Sequence, residues 1–175
     1  MSEAPVIVTE RLALWRPRFA DLEPLHAVVS HPQTGTYLGP AIEWLDHYNR
    51  FHRNAGGWYL HGYGNFIARL RGRDEVIGSL GVFHSNRGLG EDFDMMPEAG
   101  WILAHDQVGK GLASEAMTAV FQWFEHEHGP QRIVCMISPG NEPSLRMAAK
   151  FGFVPMRDAV LADGEPIRLF ERVPR

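Results

Sequence analysis

A chain of 175 residues with 45% hydrophobic content is long enough to bury one substantial core, and it reads as a single domain over 1–175. A formal net charge of -4 and a pI near 6.1 leave no basic footprint for nucleic acid, and no apolar run approaches the roughly 20 residues of a membrane span. The lone Cys135 cannot form an internal disulfide, and MSEAPVIVTERL lacks a basic, apolar leader, so the expectation is a soluble protein of the reducing cytoplasm.

Val6 to Arg16 mixes β-branched and large apolar residues with polar ones and stops at Pro17, which predicts a first strand. Apolar residues at helical spacing from Asp21 to Ser30, followed by Pro32, predict a helix. A second helix is predicted over Pro40 to Asn54, with Trp44, Leu45, Tyr48 and Phe51 on one stripe and Gly56 and Gly57 ending it. Asn65 to Arg71 and Glu75 to His84 read as a hairpin around Gly72, Arg73 and Asp74. A polar stretch, Ser85 to Met96, then precedes a strand over Glu98 to His105.

Leu112 to His128 carries Ala113, Ala116, Met117, Val120, Phe121 and Phe124 on a helical stripe stopped by Gly129 and Pro130. Arg132 to Ser138 is a short strand apolar enough to be buried on both faces. A helix over Asn141 to Phe151 follows, with Asn141 as cap and Pro143 in its first turn, and the tail forms a hairpin of Phe153 to Leu161 with Ile167 to Val173. The order is that of an α/β chain with helices packed on a sheet.

Between the third strand of the middle group and the long helix lies Gln107 to Ala116, QVGKGLASEA. Gly109 and Gly111 let the backbone curl so that several amide N–H groups face one point, and the helix adds the positive end of its dipole. That is an anion cradle suited to a diphosphate. An ordinary turn and helix start, with Ser114 as cap and Glu115 complementing the dipole, fits the same residues. The P-loop pattern G-x-x-x-x-G-K-[ST] is absent, and a dinucleotide fingerprint fails where Ser114 occupies its third glycine position.

Three pieces, TERLALWRP, EAGWILAHDQVGKGLASEA and NEPSLRMAAKFGF, occur in this order along the chain. With them the sequence resembles the GNAT superfamily of acyl-CoA-dependent N-acetyltransferases, and the first looks like the opening strand of the branch that includes ribosomal-protein α-amine acetyltransferases. The resemblance implies a mixed central sheet of about seven strands flanked by about four helices, with splayed central parallel strands. It places acetyl-CoA between the strands Glu98 to His105 and Arg132 to Ser138. Backbone groups of Trp101, Ile102 and Leu103 would pair with the pantetheine amides, and the amides of Gly109, Lys110, Gly111, Leu112 and Ala113 would hold the pyrophosphate, with Val108 and Ser114 flanking them in the coenzyme site. The Lys110 side chain either adds charge to the phosphates or is a solvated loop lysine. Asn141 would shape the coenzyme side. Val108 stands where many members carry Arg or Gln, and Ala148 where many carry Tyr.

The chemistry so implied is transfer of acetyl to a primary amine, either a protein N-terminus or a small amine, by direct attack in a ternary complex. A lysine amine of pKa about 10.4 is almost wholly protonated near neutrality, whereas an α-amine at about 7.7 to 8.0 is substantially neutral and needs little base. Ser144 is the candidate donor to the departing thiolate, or else a second helix cap; Glu98 is the candidate base, or else a strand-end carboxylate. The acidic run Glu91, Asp92 and Asp94 either attracts a cationic acceptor or is a solvated loop. Trp44, Tyr48, Phe51, Trp58 and Tyr59 either line an acceptor pocket or belong to the core.

No metal is expected: the nine histidines scatter, and the zincin pattern begun by His126 and Glu127 fails at Pro130. Cys135 in its apolar strand reads as an inert thiol. A coenzyme A binding module without turnover, serving as a sensor or partner-binding subunit, is the alternative to an enzyme, and antibiotic or polyamine acceptors are a variant of the enzyme. A homodimer through the edge of the C-terminal hairpin is a further expectation.

Overall fold

One mixed sheet of eight strands organises the chain, in the order β1-β2-β3-β4-β5-β6-β8-β7. The computed structural model describes residues 4–37 and 42–174. Its strands are β1 (Ile7–Val8), β2 (Leu12–Trp15), β3 (Asn65–Leu70), β4 (Gly78–Phe83), β5 (Glu98–Leu103), β6 (Ile133–Ile137), β7 (Val154–Val160) and β8 (Pro166–Arg172). Its α-helices are α1 (Leu22–Val29), α2 (Trp44–His61), α3 (Glu91–Asp94), α4 (Leu112–His128) and α5 (Glu142–Lys150).

Both tallies exceed the expectation by one, for local reasons. Val6 to Arg16 is a small hairpin and not one strand, because Thr9 folds the chain back: its Oγ1 accepts the Leu12 N–H at 3.0 Å while its own N–H reaches the Leu12 carbonyl at 2.9 Å. The additional helix is the single turn α3, inside the stretch expected to be irregular. The Asp94 carboxylate builds it by accepting the backbone N–H groups of Arg87, Leu89 and Gly90 at 2.8, 2.8 and 3.0 Å.

Helix α2 also departs from the sequence reading. Its expected start at Pro40 lies outside the described residues, and it runs through Gly56 and Gly57 to His61, with Gly62 as its C-cap. Each interior glycine costs about 1 kcal/mol relative to alanine. Trp58 offsets that cost by packing its ring 4.8 Å from Phe66 and 5.7 Å from Trp123 and donating its indole N–H to the Asn65 carbonyl. The buried face is His47, Phe51 and Trp58, whereas Trp44, Leu45 and Tyr48, expected on the buried stripe, are exposed.

Alternation along β3 divides the core. Phe66 and Ala68 face α4 with Leu80, Val82, Ala99 and Leu103, against Met117, Val120 and Phe124. Ile67 faces the other way, toward Leu22, Leu25, Val29 and Phe51 of α1 and α2. A third cluster, Leu89, Phe93, Val134, Ile167 and Leu169, lies under the α3 segment.

The parallel pair at the centre is barely a pair: β5 and β6 register only at Glu98 opposite Val134 and then diverge. At the far end, β7 carries Pro155 and a register irregularity between Pro155 and Arg157.

Gly78 is required by this geometry, since a Cβ there would stand 2.2 Å from the Ile102 carbonyl oxygen across the β4–β5 pair. Gly78→Ala is expected to destabilise the fold by about 2 kcal/mol or more, read as a lower midpoint in denaturant; an unchanged midpoint would contradict the close approach. Burial pushes the His47 imidazole below its ordinary 6.5, against the raising effect of its bond to the Leu22 carbonyl. As pH falls below about 6.5 the unfolded chain then binds more protons than the folded one, so stability declines until the depressed folded value is reached. Unfolding curves at about pH 7 and 5.5 should show a smaller acid loss for His47→Gln than for the wild type; equal losses would show that His47 is not responsible.

Candidate functional site

β5 ends in a single 3-10 turn, His105–Gln107, and leads into two glycines with positive φ, Gly109 at 81° and Gly111 at 76°. That left-handed conformation is open to glycine at little cost. Gly111 is the N-cap of α4 and supplies no side chain, so no hydroxyl or carboxylate caps the helix. The first-turn amides remain available to a ligand, with the helix dipole behind them. Ser114 is not the cap that one sequence reading assigned: two residues inside the helix, its hydroxyl accepts a hydrogen bond from Lys150 Nζ on α5.

A groove of about 540 Å³ opens where β5 and β6 part. Trp101, Ile102 and Leu103 form one wall, Val108, Gly109 and Gly111 the loop, Leu112, Ala113 and Ser114 the helix start, and Asn141 and Ser144 the opposite side. Lys110 alone among the expected coenzyme residues does not line it. Its carbonyl accepts a hydrogen bond from Arg11 and its Nζ donates to Gln107 Oε1 at 3.2 Å.

Besides His105 and Gln107 of the 3-10 turn, further lining residues come from two places. Pro143, Arg146, Met147 and Lys150 follow from helical spacing along α5, a signal present in the sequence. Gln33, Thr34 and Thr36 come from the segment after α1, held against the loop by the His105 N–H on Thr34 Oγ1 at 3.1 Å and by a His31–His105 ring stack at 4.1 Å. No local pattern announces that contact.

Asn141 caps α5, its Oδ1 accepting the Ser144 N–H at 3.2 Å, which leaves the Ser144 side chain free of capping. Ser144 Oγ instead accepts the Trp101 indole N–H at 3.2 Å across the groove. Indole nitrogen only donates, so the serine oxygen is the acceptor and its own proton stays available to a third group. Ala148 is fully buried in the core.

Glu98 stands on the other face of β5. Trp101 packs with the α4 side of the core, while Ile102, on the same face as Glu98, packs with α1 and α2. The Glu98 side chain is 4% exposed and is gripped by Arg87, with Nη2 to Oε1 at 3.0 Å and Nε to Oε2 at 3.1 Å, while the Ser85 hydroxyl donates to Oε2. Three of its roughly four lone-pair sites are thus occupied.

The acidic run is partly tied down, and Glu91 in it is exposed. Asp92 pairs with Arg157 at 2.8 Å and Asp94 organises α3. Of the aromatic residues considered for an acceptor pocket, Phe51 and Trp58 are core and Trp44, Tyr48 and Tyr59 are exposed; none lines the groove. Burial pushes the Cys135 thiol up, so it stays protonated and inert. Among the described residues no group of His, Cys, Asp and Glu is arranged to hold a metal ion, and no helix is long and apolar enough to cross a membrane.

Comparison with known proteins agrees with this geometry. Residues 11–154 match the family described as acetyltransferase (GNAT) domain. The sequence is 27% identical over 147 residues to YnaD of Bacillus subtilis, an uncharacterised N-acetyltransferase, covering 83% of this chain and 81% of that one. A Bordetella pertussis protein described as a GnaT-family acetyltransferase superposes with a TM-score of 0.85 at 30% identity, over 95% of this chain and 98% of its own. RimL, a ribosomal alpha-N-protein acetyltransferase solved with coenzyme A, shares the fold at a TM-score of 0.73 and 15% identity, over 96% and 97% of the two chains.

The Glu98 grip has a consequence for stability. Arg87→Ala leaves a buried carboxylate without its counter-charge and is expected to cost about 2–4 kcal/mol. Adding Glu98→Gln should recover part of that loss in denaturant unfolding. A double variant no more stable than Arg87→Ala would show that the pair is not coupled in this way.

Proposed function

This chain belongs to the GNAT acetyltransferase family and is an N-acetyltransferase, and from that premise we propose that it moves acetyl from acetyl-CoA to a primary amine by direct attack in a ternary complex. The observation that carries the reading is the Trp101–Ser144 hydrogen bond inside the groove, which places a hydroxyl with a free proton beside the diverging strand.

The groove suits an acyl-CoA on its own chemistry. Among the described residues β5 registers with β6 only at Glu98, so backbone groups of Trp101, Ile102 and Leu103 on that side are open to the amides of a pantetheine arm. Gly109, Gly111 and the first turn of α4 offer amides to a diphosphate, with Arg146 and Lys150 as nearby cations. Acetyl-CoA supplies the thioester carbon that an amine attacks.

Ser144 then gives its proton to the departing sulfur and takes one back from water, as Glu98 returns the amine's proton to solvent, and the Trp101 N–H holds the serine oxygen so that its proton points away from the indole. Glu98 faces the α1–α2 side, where we place the acceptor. Its remaining lone pair on Oε1 can take a proton from the amine through a water, while Arg87 and Ser85 keep the carboxylate fixed. A base restrained in this way suits an α-amine, which is already substantially neutral at pH about 7.4. We therefore place a protein or peptide N-terminus, or a small α-amine, ahead of lysine as acceptor. The TERLALWRP segment supports the ribosomal-protein α-amine branch.

The purified protein should bind acetyl-CoA by calorimetry and release free thiol when peptides with unblocked N-termini or small amines are added. Binding without release on any amine would contradict the transferase reading, and no binding would contradict the donor. Ser144→Ala is expected to lower kcat about tenfold or more while the acetyl-CoA Kd stays within about twofold; equal loss of both would make Ser144 a structural residue.

A further inference from the structure

The TERL segment has no part in the chemistry above, yet its side chains grip the anion loop. Arg11 Nη1 donates to the Lys110 carbonyl at 2.9 Å, its Nε to Glu115 Oε2 at 2.6 Å, and its backbone N–H to Glu115 Oε1 at 2.9 Å. The Thr9 hydroxyl donates to Glu115 Oε1 at 2.6 Å. Arg11 Nη2 lies 3.6 Å from the point where a Cβ on Gly111 would stand, so the guanidinium sits directly against the loop. The turn between β1 and β2 thus holds the loop carbonyl and the first turn of α4 together.

Two effects on a bound diphosphate follow. In a trans peptide the C=O and the next N–H point in opposite directions, so holding the Lys110 carbonyl on Arg11 aims the Gly111 N–H away from Arg11. A free carbonyl in that loop would be able to turn its oxygen toward the anion. The second effect is electrostatic. Desolvation, which raises the Glu115 pKa, is outweighed by the bonds from Thr9 and Arg11, so the carboxyl is held below its usual value and stays charged beside the anion site. Arg11 cancels that charge. An ion pair with an arginine side chain 45% exposed contributes little to global stability, so the contacts matter chiefly for the loop.

We infer that Arg11 is a positioning residue for the diphosphate of the acyl donor, fixing the Lys110–Gly111 peptide and neutralising Glu115, and thereby favouring a coenzyme A thioester over a pantetheine thioester that lacks the diphosphate. This rests on the groove being an acyl-CoA site. The test is thiol-release kinetics of the wild type, Arg11→Gln and Arg11→Gln/Glu115→Gln with acetyl-CoA and with S-acetylpantetheine, at a fixed amine.

Arg11→Gln should raise the acetyl-CoA KM about tenfold to a hundredfold and leave kcat within about twofold. Its kcat/KM for S-acetylpantetheine should stay within about twofold of the wild type, and adding Glu115→Gln should restore part of the acetyl-CoA KM. Equal losses on both donors, or an unchanged acetyl-CoA KM, would overturn the inference. If the wild type turns over neither donor, the transferase reading fails, and the same comparison by calorimetry with coenzyme A and pantetheine decides the role of Arg11. There, weaker coenzyme A binding with unchanged pantetheine binding sustains it, and parallel changes or none overturn it.

Discussion

The divergence of β5 from β6 is the constraint on which the rest depends. The two strands share one registered position, Glu98 with Val134, joined by the Val134 N–H on the Pro97 carbonyl at 2.9 Å. Past that point the helix start at Gly111 and the capped end of α5 at Asn141 line the gap. Backbone polar groups along a strand must find partners. A sheet that parts at its centre, between strands otherwise hydrogen-bonded to their neighbours, has left those groups for water or for a ligand. Closing the gap would satisfy the ladder and remove the groove.

The alternation of β5 then assigns tasks to faces. Ala99, Trp101 and Leu103 look toward α4 and α5, where the amide cradle and Ser144 lie; Glu98 and Ile102 look toward α1 and α2. Ser144, reached by Trp101 on one face of β5, and Glu98, carried on the other face, are therefore held apart by the sheet itself. Each is fixed by a partner with little freedom: Ser144 by the rigid indole of Trp101, Glu98 by the planar fork of Arg87. Beside the groove Arg11 covers the charge of Glu115, and Lys150 donates to the Ser114 hydroxyl.

Much of this was legible in the sequence where local chemistry decided it. Gly109 and Gly111 ahead of an amphipathic stripe announce the cradle, Asn141 with Pro143 announces the capped start of α5, and the residues of both line the groove. What escaped depends on contacts distant in the chain. Gly56 and Gly57 read as a stop because the burial of Trp58 against Trp123 is invisible locally. Thr9 gives no sign by spacing alone that it breaks a strand, and it does so with a side-chain bond to Leu12 that a strand would not make. Glu98 was identified as a candidate, but Arg87 and Ser85, which set its chemistry, stand 11 and 13 residues away on an irregular segment. The Asp92 pairing with Arg157 is 65 residues long in sequence, and so the acidic run looked free.

The central claim is that acetyl-CoA lies in the gap between β5 and β6 with its diphosphate on the start of α4. Titration of ¹⁵N-labelled protein with acetyl-CoA, followed by amide resonances, tests it most directly. The account predicts that the largest shifts fall on Trp101 to Leu103, on Gly109 to Ala113 and on the Trp101 indole N–H. Saturable shifts confined to other surfaces, with those amides unmoved, would contradict it.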